Sequence, residues 1–133
     1  MSREILFRGK KVENGEWAYG FLTCMNYIDV FNPKVCYDGQ EEIRYYTVEH
    51  HQVDTNTVGQ FTGLCDKNGN KIFEGDILLK GFEKVSVKWN ENQCRWGIYS
   101  NDYEICGFNE STQGYFEVIG NIYDNPELLE VEQ

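Results

Sequence analysis

The sequence predicts a mainly β protein. Tight-turn dipeptides recur along the chain, at Asn14-Gly15, Asp38-Gly39 and Asn68-Gly69. Between them, apolar and polar residues alternate with a period of two, and aromatic and β-branched residues are frequent. Successive side chains of a strand point to opposite faces, so this alternation marks strands buried on one side. Asn-Gly and Asp-Gly suit tight hairpins, because both central residues of a type I′ turn need a positive φ.

Taken in order, Trp17, Tyr19 and Phe21 share one face of a first strand, with Glu16, Ala18 and Gly20 on the other. Tyr45-Tyr46-Thr47-Val48 reads as a further strand. Asp66-Lys67-Asn68-Gly69-Asn70-Lys71 is the clearest turn, with Leu64 before it and Ile72-Phe73 after it. Val85, Val87 and Trp89 alternate with Lys84, Ser86 and Lys88. Phe116, Val118 and Ile122 alternate with Glu117, Ile119 and Asn121. A short helix is expected at the end: Asn125 can cap it, Pro126 fits its first position, and Glu127 suits its positive N-terminal end. Leu128, Leu129 and Val131 would then pack on the sheet. Many short strands between turns point to a small barrel or sandwich. The chain divides near Val58-Gly59. Residues 1–58 are expected to form an irregular β-sheet region with loops, and residues 59–133 a small barrel with the terminal helix, unless the two are one continuous domain.

Composition narrows the function classes. The chain has 133 residues, 41% of them hydrophobic, which is enough for a core without a covalent staple. Twelve Lys and Arg stand against 22 Asp and Glu, for a net charge of −10. A broad phosphate-binding face is built from clustered Lys and Arg, so nucleic acid is an unfavoured partner. The charge is also uneven. No Lys or Arg follows Arg95, while eight carboxylates run from Asp102 to Glu132. The start has the opposite bias: Arg3, Arg8, Lys10 and Lys11 face only Glu4. No apolar run has signal-peptide or membrane-span length, which predicts a cytoplasmic protein with no membrane partner. The five cysteines, Cys24, Cys36, Cys65, Cys94 and Cys106, form no C-x-x-C pair. They read as reduced, buried structural thiols.

Few residues suggest chemistry. His50 and His51 are adjacent, so on a strand they point to opposite faces and do not share a metal. Glu49 and His51 would share a face, which is a weak metal or proton-relay signal, and Asp54 lies close by. Cys65 lacks the marks of an activated nucleophile. Glu41-Glu42 and the downstream carboxylates read as a solvated acidic face. Phosphate-cradling glycine loops are absent from the sequence. The prediction is therefore no catalytic residues, no cofactor and no metal site. The aromatics Tyr45, Tyr46, Trp89, Trp96, Tyr99 and Tyr103 are candidates for a recognition patch, against the plainer reading as core.

Three stretches carry a likeness to known proteins. The longest runs from Gly59 to Leu78 and includes Phe61-Thr62-Gly63-Leu64, the Asp66–Lys71 turn and Glu74-Gly75-Asp76-Ile77. The second runs from Phe116 to Leu129 and includes Val118-Ile119-Gly120-Asn121. The third is Arg3-Glu4-Ile5-Leu6-Phe7-Arg8-Gly9. Together they resemble the YopX family of phage and prophage proteins, from the first residues nearly to the last. The family has no established activity, so the resemblance carries no catalytic residue over. It implies a mainly β protein of a bacterial host cytosol, and homo-oligomer formation is expected on the same footing. The Glu74-Gly75-Asp76-Ile77 run entering a strand points to an SH3-like small barrel in residues 59–133. The motif residues also read structurally. Gly63, Gly69, Gly75 and Gly120 suit positions of positive φ or close backbone approach. Asp76 would tie down the turn before Ile77, and Asn121 would do the same at the later strand.

The leading expectation is a non-enzymatic binding or assembly module of a phage or prophage, acting as a homo-oligomer and engaging a phage or host protein. A second is an acidic inhibitor that mimics nucleic acid toward a host protein, motivated by the charge after Arg95. An enzyme of unrecognised type ranks third. A local nucleic-acid patch would need Arg3, Arg8, Lys10, Lys11 and Arg44 to converge.

Overall fold

The period-two stretches of residues 7–52 form four antiparallel strands in the structure, a computed structural model that describes residues 4–130. They are β1 (Phe7–Lys10), β2 (Trp17–Thr23), β3 (Tyr27–Asp38) and β4 (Glu41–Gln52). Their order in the sheet is β4-β3-β2-β1. Residues 5–58 make one compact unit. Its buried core is small: Ala18, Ile28 and Val53, with Phe7, Leu22 and Val58 packed against them. The aromatic face of β2 does not face this core. Ala18 is buried, whereas Tyr19 and Phe21 are exposed. Gly20 shows why, since a Cβ there would lie 2.2 Å from the Asp29 carbonyl oxygen. At Gly20 the inner side of β2 has no room for a side chain, and the large inward residue is Leu22.

The second unit holds residues 59–130 with Glu4. In it β5 (Gly59–Cys65) pairs with β6 (Lys71–Phe73). The remaining strands are β7 (Asp76–Lys80), β8 (Glu83–Asn90), β9 (Arg95–Ser100), β10 (Tyr103–Gly107) and β11 (Glu117–Asn121). They form an antiparallel five-stranded sheet in the order β10-β9-β8-β7-β11. The sheet is open, with β10 and β11 at its edges. The core gathers Ile72, Leu78, Val85, Val87, Trp96, Ile98, Phe108 and Phe116. Val85 and Val87 thus lie inward as their alternation predicts. Ser86 between them is buried as well, so β8 is covered on both faces at that point.

All three turn dipeptides bend the chain, but not as type I′ turns. Asp38 pairs with Glu41, so the central residues of the β3–β4 turn are Gly39 and Gln40. Only Gly39 has a positive φ, of 63°. That is the pattern of a turn with glycine at its first central position. Around Gly69 the loop has three residues: Asp66 N–H donates to Asn70 O at 2.8 Å, and Gly69 N–H to Asp66 O at 3.0 Å. Such a loop puts its left-handed residue last, where Gly69 has a φ of 85°.

Side chains of the motifs brace these turns. Asp76 is buried and its carboxylate accepts the Phe73 N–H at 2.8 Å. Asn121 Oδ1 accepts the N–H groups of Tyr123 and Asp124 at 3.0 and 2.9 Å. Both tie down their turns as expected. The terminal segment is a single 3-10 turn, Pro126–Leu129, and not an α-helix. Asn125 does not cap it; its Oδ1 instead accepts the Asn121 N–H at 3.3 Å. Leu128 and Leu129 are half-buried, and this turn lies against β8. Val131, Arg3 and Glu132 lie outside the described residues. The cysteines are free thiols, but Cys24, Cys36, Cys94 and Cys106 are exposed and only Cys65 is half-buried. The expectation that they fill the core is corrected: Cys24 and Cys94 adopt positive φ, and Cys36 lies far out on β3.

Candidate functional site

β3 and β4 are twelve residues each, and their register runs unbroken from Tyr27–Gln52 to Asp38–Glu41. β2 pairs with β3 only from Tyr27 to Asp29. Beyond Asp29, therefore, the two strands pair only with each other among the described residues. This two-stranded ribbon extends by about 30 Å at the usual rise per residue. Nearly all its side chains are exposed.

Register sorts those side chains onto faces, because residues directly opposite in an antiparallel pair share one face. One face carries Phe31 opposite Val48, Pro33 opposite Tyr46, Val35 opposite Arg44, and Tyr37 opposite Glu42. Phe21 lies on the same side, since it pairs with Asp29, and its ring meets Phe31 edge-on at 5.6 Å. This apolar stripe is open to solvent, with Tyr37 at 70% and Tyr46 at 68% exposure. Arg44 and Glu42 near the tip form an ion pair at 3.3 Å, so the stripe's two charges offset each other. The opposite face is mixed, with Lys34 opposite Tyr45 and Cys36 opposite Ile43.

The two histidines sit at the base of the ribbon, on opposite faces as the sequence implies. His50 Nδ1 bonds the Asp29 carboxylate, and its ring stacks on Tyr27 with planes 8° apart at 4.1 Å. Together with Lys11 they border a hollow of about 330 Å³. His51 Nε2 is 3.8 Å from Glu49 Oε2. Asp54 caps the 3-10 turn Thr55–Thr57 by accepting the Asn56 N–H at 3.0 Å. Each acidic neighbour is thus taken up singly, and no three His, Cys, Asp or Glu side chains cluster among the described residues. Cys65 belongs to the other unit, where its N–H donates to Gln113 Oε1 at 3.1 Å.

The aromatic candidates divide. Tyr45 and Tyr46 are exposed on opposite faces of the ribbon. Trp89 and Trp96 pair across β8 and β9, and Tyr99 carries Lys88 over its ring at 5.4 Å. Tyr103, at the start of the edge strand β10, is exposed. Of the basic candidates, Arg3 lies outside the described residues and Arg44 stands near the tip of the ribbon. Arg8 is buried with its guanidinium 4.6 Å above Trp17, and Lys10 approaches the same ring at 5.6 Å. The acidic run is partly neutralised from within. Asn90 and Arg95 hold the Glu104 carboxyl below its usual range, and Lys67 lies 3.8 Å from Glu117.

The sequence reading missed the stripe itself. Its signal was present: Phe31, Pro33, Val35 and Tyr37 alternate on one side of Gly39, and Tyr46 and Val48 on the other.

The profile of the YopX protein family matches residues 6–130, nearly the whole chain. The chain belongs to the YopX family. Among solved structures it is similar to protein EF1440 from Enterococcus faecalis, known from its crystal structure. The two share 24% identity, cover 97% of this chain and 100% of that one, and superpose with a TM-score of 0.61. At that identity the likeness speaks for the fold. No curated protein matches the chain.

Proposed function

We propose that this protein is a non-enzymatic binding and assembly module of a phage or prophage, acting in the host cytosol as a homo-oligomer through its β3–β4 ribbon. The observation that carries this reading is the apolar stripe of Phe31, Val35, Tyr37, Tyr46 and Val48, exposed where, among the described residues, β3 and β4 pair only with each other. An isolated two-stranded ribbon is marginal in water, and needs a surface against its apolar face to be stable. Contiguous exposed apolar patches mark interaction sites. A second copy of the ribbon suits this one, because a symmetric contact brings the same patch together twice. With Arg44 and Glu42 paired to each other, two stripes meet without repulsion. Tyr and Phe are also the side chains enriched at interface centres.

An SH3-like character for residues 59–130 is part of the same reading. Its support is the meander β7-β8-β9-β10, after which a 3-10 turn (Gln113–Tyr115) returns the chain so that β11 pairs with β7.

Sedimentation velocity tests the assembly. The wild-type protein is expected to sediment as an oligomer. The Tyr46→Lys/Val48→Lys variant, altered only at exposed positions, is expected to be a monomer with unchanged circular dichroism. A wild-type monomer at all concentrations, or an oligomer that survives both lysines, contradicts the reading.

A further inference from the structure

Of the two outer edges of the ribbon, one is blocked and one is open. The Val53 N–H donates to the Asn26 carbonyl at 2.8 Å, next to the Tyr27–Gln52 pair. Pairs that exchange such bonds alternate along an antiparallel ladder with pairs whose N–H and C=O groups point away. The register is unbroken, so the even residues of β3 and the odd residues of β4 face across the ribbon. The odd residues of β3 and the even residues of β4 turn their backbone groups outward. At Tyr27 and Asp29 the outward groups of β3 meet β2. Pro33 stands at an outward position of the stretch beyond, and a proline has no N–H to offer a further strand.

β4 carries no such block. It is twelve residues long, contains no proline and pairs with β3 without a bulge. At its end the Gln52 carbonyl accepts the Val12 N–H at 2.9 Å. Before that point, the outward groups of Arg44, Tyr46 and Val48 face no strand among the described residues. The other sheet edges are each interrupted. β6 has only three residues, and β10 and β11 each carry a bulge. Short, bulged and proline-bearing edges resist pairing with another chain. The long, regular edge left open is that of β4.

This edge is complementary to itself. Two copies pair antiparallel only in registers that set an outward, even residue opposite another. With Tyr46 at the centre, every residue from Glu41 to His51 is paired. Glu41 then lies opposite His51, Glu42 opposite His50, and Arg44 opposite Val48. The acidic tip of one copy meets the histidine base of the other. Moving the centre to Tyr45 sets Glu41 against Glu49, and moving it to Thr47 sets Arg44 against His50. Like charges directly opposite are destabilising, so the register centred on Tyr46 is favoured.

We propose that the outer edge of β4 pairs antiparallel with the same edge of a second copy, centred on Tyr46, to make a four-stranded sheet in the order β3-β4-β4-β3. This rests on the assembly reading and adds a second contact to it. The even residues of both β4 strands share one face, so the two apolar stripes join side by side and remain free to pack face to face. Four strands with an apolar face have the stability that an isolated pair lacks. Tyr46→Lys sets two ammonium groups opposite each other at the centre of this register, and Val48→Lys sets one opposite Arg44. The double variant therefore breaks the edge as well as the stripe.

Residue-resolved amide exchange of the wild-type protein, followed by ¹⁵N NMR, tests the edge. A ribbon covered only on its face leaves the even amides of β4 without an acceptor, so exchange rates alternate along the strand. Edge pairing supplies the missing acceptors. After correction for intrinsic rates, the amides of Arg44, Tyr46 and Val48 are expected to exchange about tenfold more slowly, or slower still, than the outward amides of Val35 and Tyr37 on β3. In an equal mixture of ¹³C-labelled and unlabelled protein, an isotope-filtered spectrum is expected to show the Tyr45 Hα close to the Thr47 Hα of the other copy. Rates that alternate along β4, or inter-chain contacts centred on another residue, overturn the proposal without requiring any variant to fold. Sedimentation separates the two failures. An oligomer with alternating rates overturns the edge contact and leaves the ribbon reading standing, whereas a monomer at all concentrations overturns both.

Discussion

Asp66 is buried in the turn between β5 and β6, and its carboxylate accepts four hydrogen bonds. Oδ1 takes the N–H groups of Asn68 and Asn70 at 2.9 and 2.8 Å. Oδ2 takes the Asn70 side-chain amide at 3.3 Å and the Val118 N–H, from β11, at 3.0 Å. Burial alone would raise its pKa, but the donors from Val118, Asn70 and Asn68 outweigh it and hold the carboxyl below its usual range. Asp66→Ala leaves three backbone donors without this acceptor, and is expected to cost about 2–3 kcal/mol in urea unfolding. The sign of the pH dependence follows from the lowered pKa. The carboxylate's contribution is complete above the unfolded-state value, about 4. It is lost as pH falls through the lower folded-state value. The gap between wild type and variant is therefore expected to narrow with acid, and a gap that widens would contradict this account. The sequence made the Asn68-Gly69 turn legible. It did not reveal that one oxygen of Asp66 reaches Val118, 52 residues along the chain, because only the folded sheet brings those residues together.

At the scale of elements, strands that bury a face in the core were legible, and of the ribbon the Gly39 turn and the Tyr45–Val48 strand were legible but its exposure was not. β8 and β11 are readable because Val85, Val87 and Val118 alternate with polar residues and pack inward. β2 shows how alternation alone misleads. Its period is right, but Tyr19 and Phe21 are on the outside, and the close approach of β3 excludes a side chain from the inside at Gly20. Beyond Asp29, β3 alternates without any core to receive its side chains, so its period there carried no information about burial. The Gly39 turn tests whether the ribbon is a separable element. A side chain at a φ of 63° is strained, and Gly39→Val is expected to cost about 1–2 kcal/mol locally. In a ribbon of marginal stability this cost should appear as faster amide exchange for residues 34–45. The melting temperature of the whole protein is expected to stay within measurement error, because neither buried core involves this turn. A drop in global stability of the full local cost would mean that the ribbon is part of the cooperative core.

For the whole molecule, the division of labour between the two units follows from how each is built. Residues 59–130 contain the larger buried cluster and most of the motif-specific bracing, through Asp66, Asp76 and Asn121. Residues 5–58 bury few side chains and spend much of their length on exposed strands. Membership of the YopX family was legible because the long motifs of residues 59–78 and 116–129 are built around buried turns that tolerate few alternatives. Function was not legible in the same way. The exposed stripe has the composition of a core strand, and only its exposure distinguishes the two. Charge proved a weaker guide: Glu104 and Glu117 are engaged by Arg95 and Lys67, so the acidic run is not a uniform open face. The central claim is that a second copy covers the ribbon, and amide hydrogen exchange across residues 30–48 tests it most directly. The account predicts slow exchange on the ribbon of the wild-type protein that becomes fast in the Tyr46→Lys/Val48→Lys variant, while β7, β8 and β9 keep their protection. Equally fast exchange of the ribbon in both proteins would contradict it.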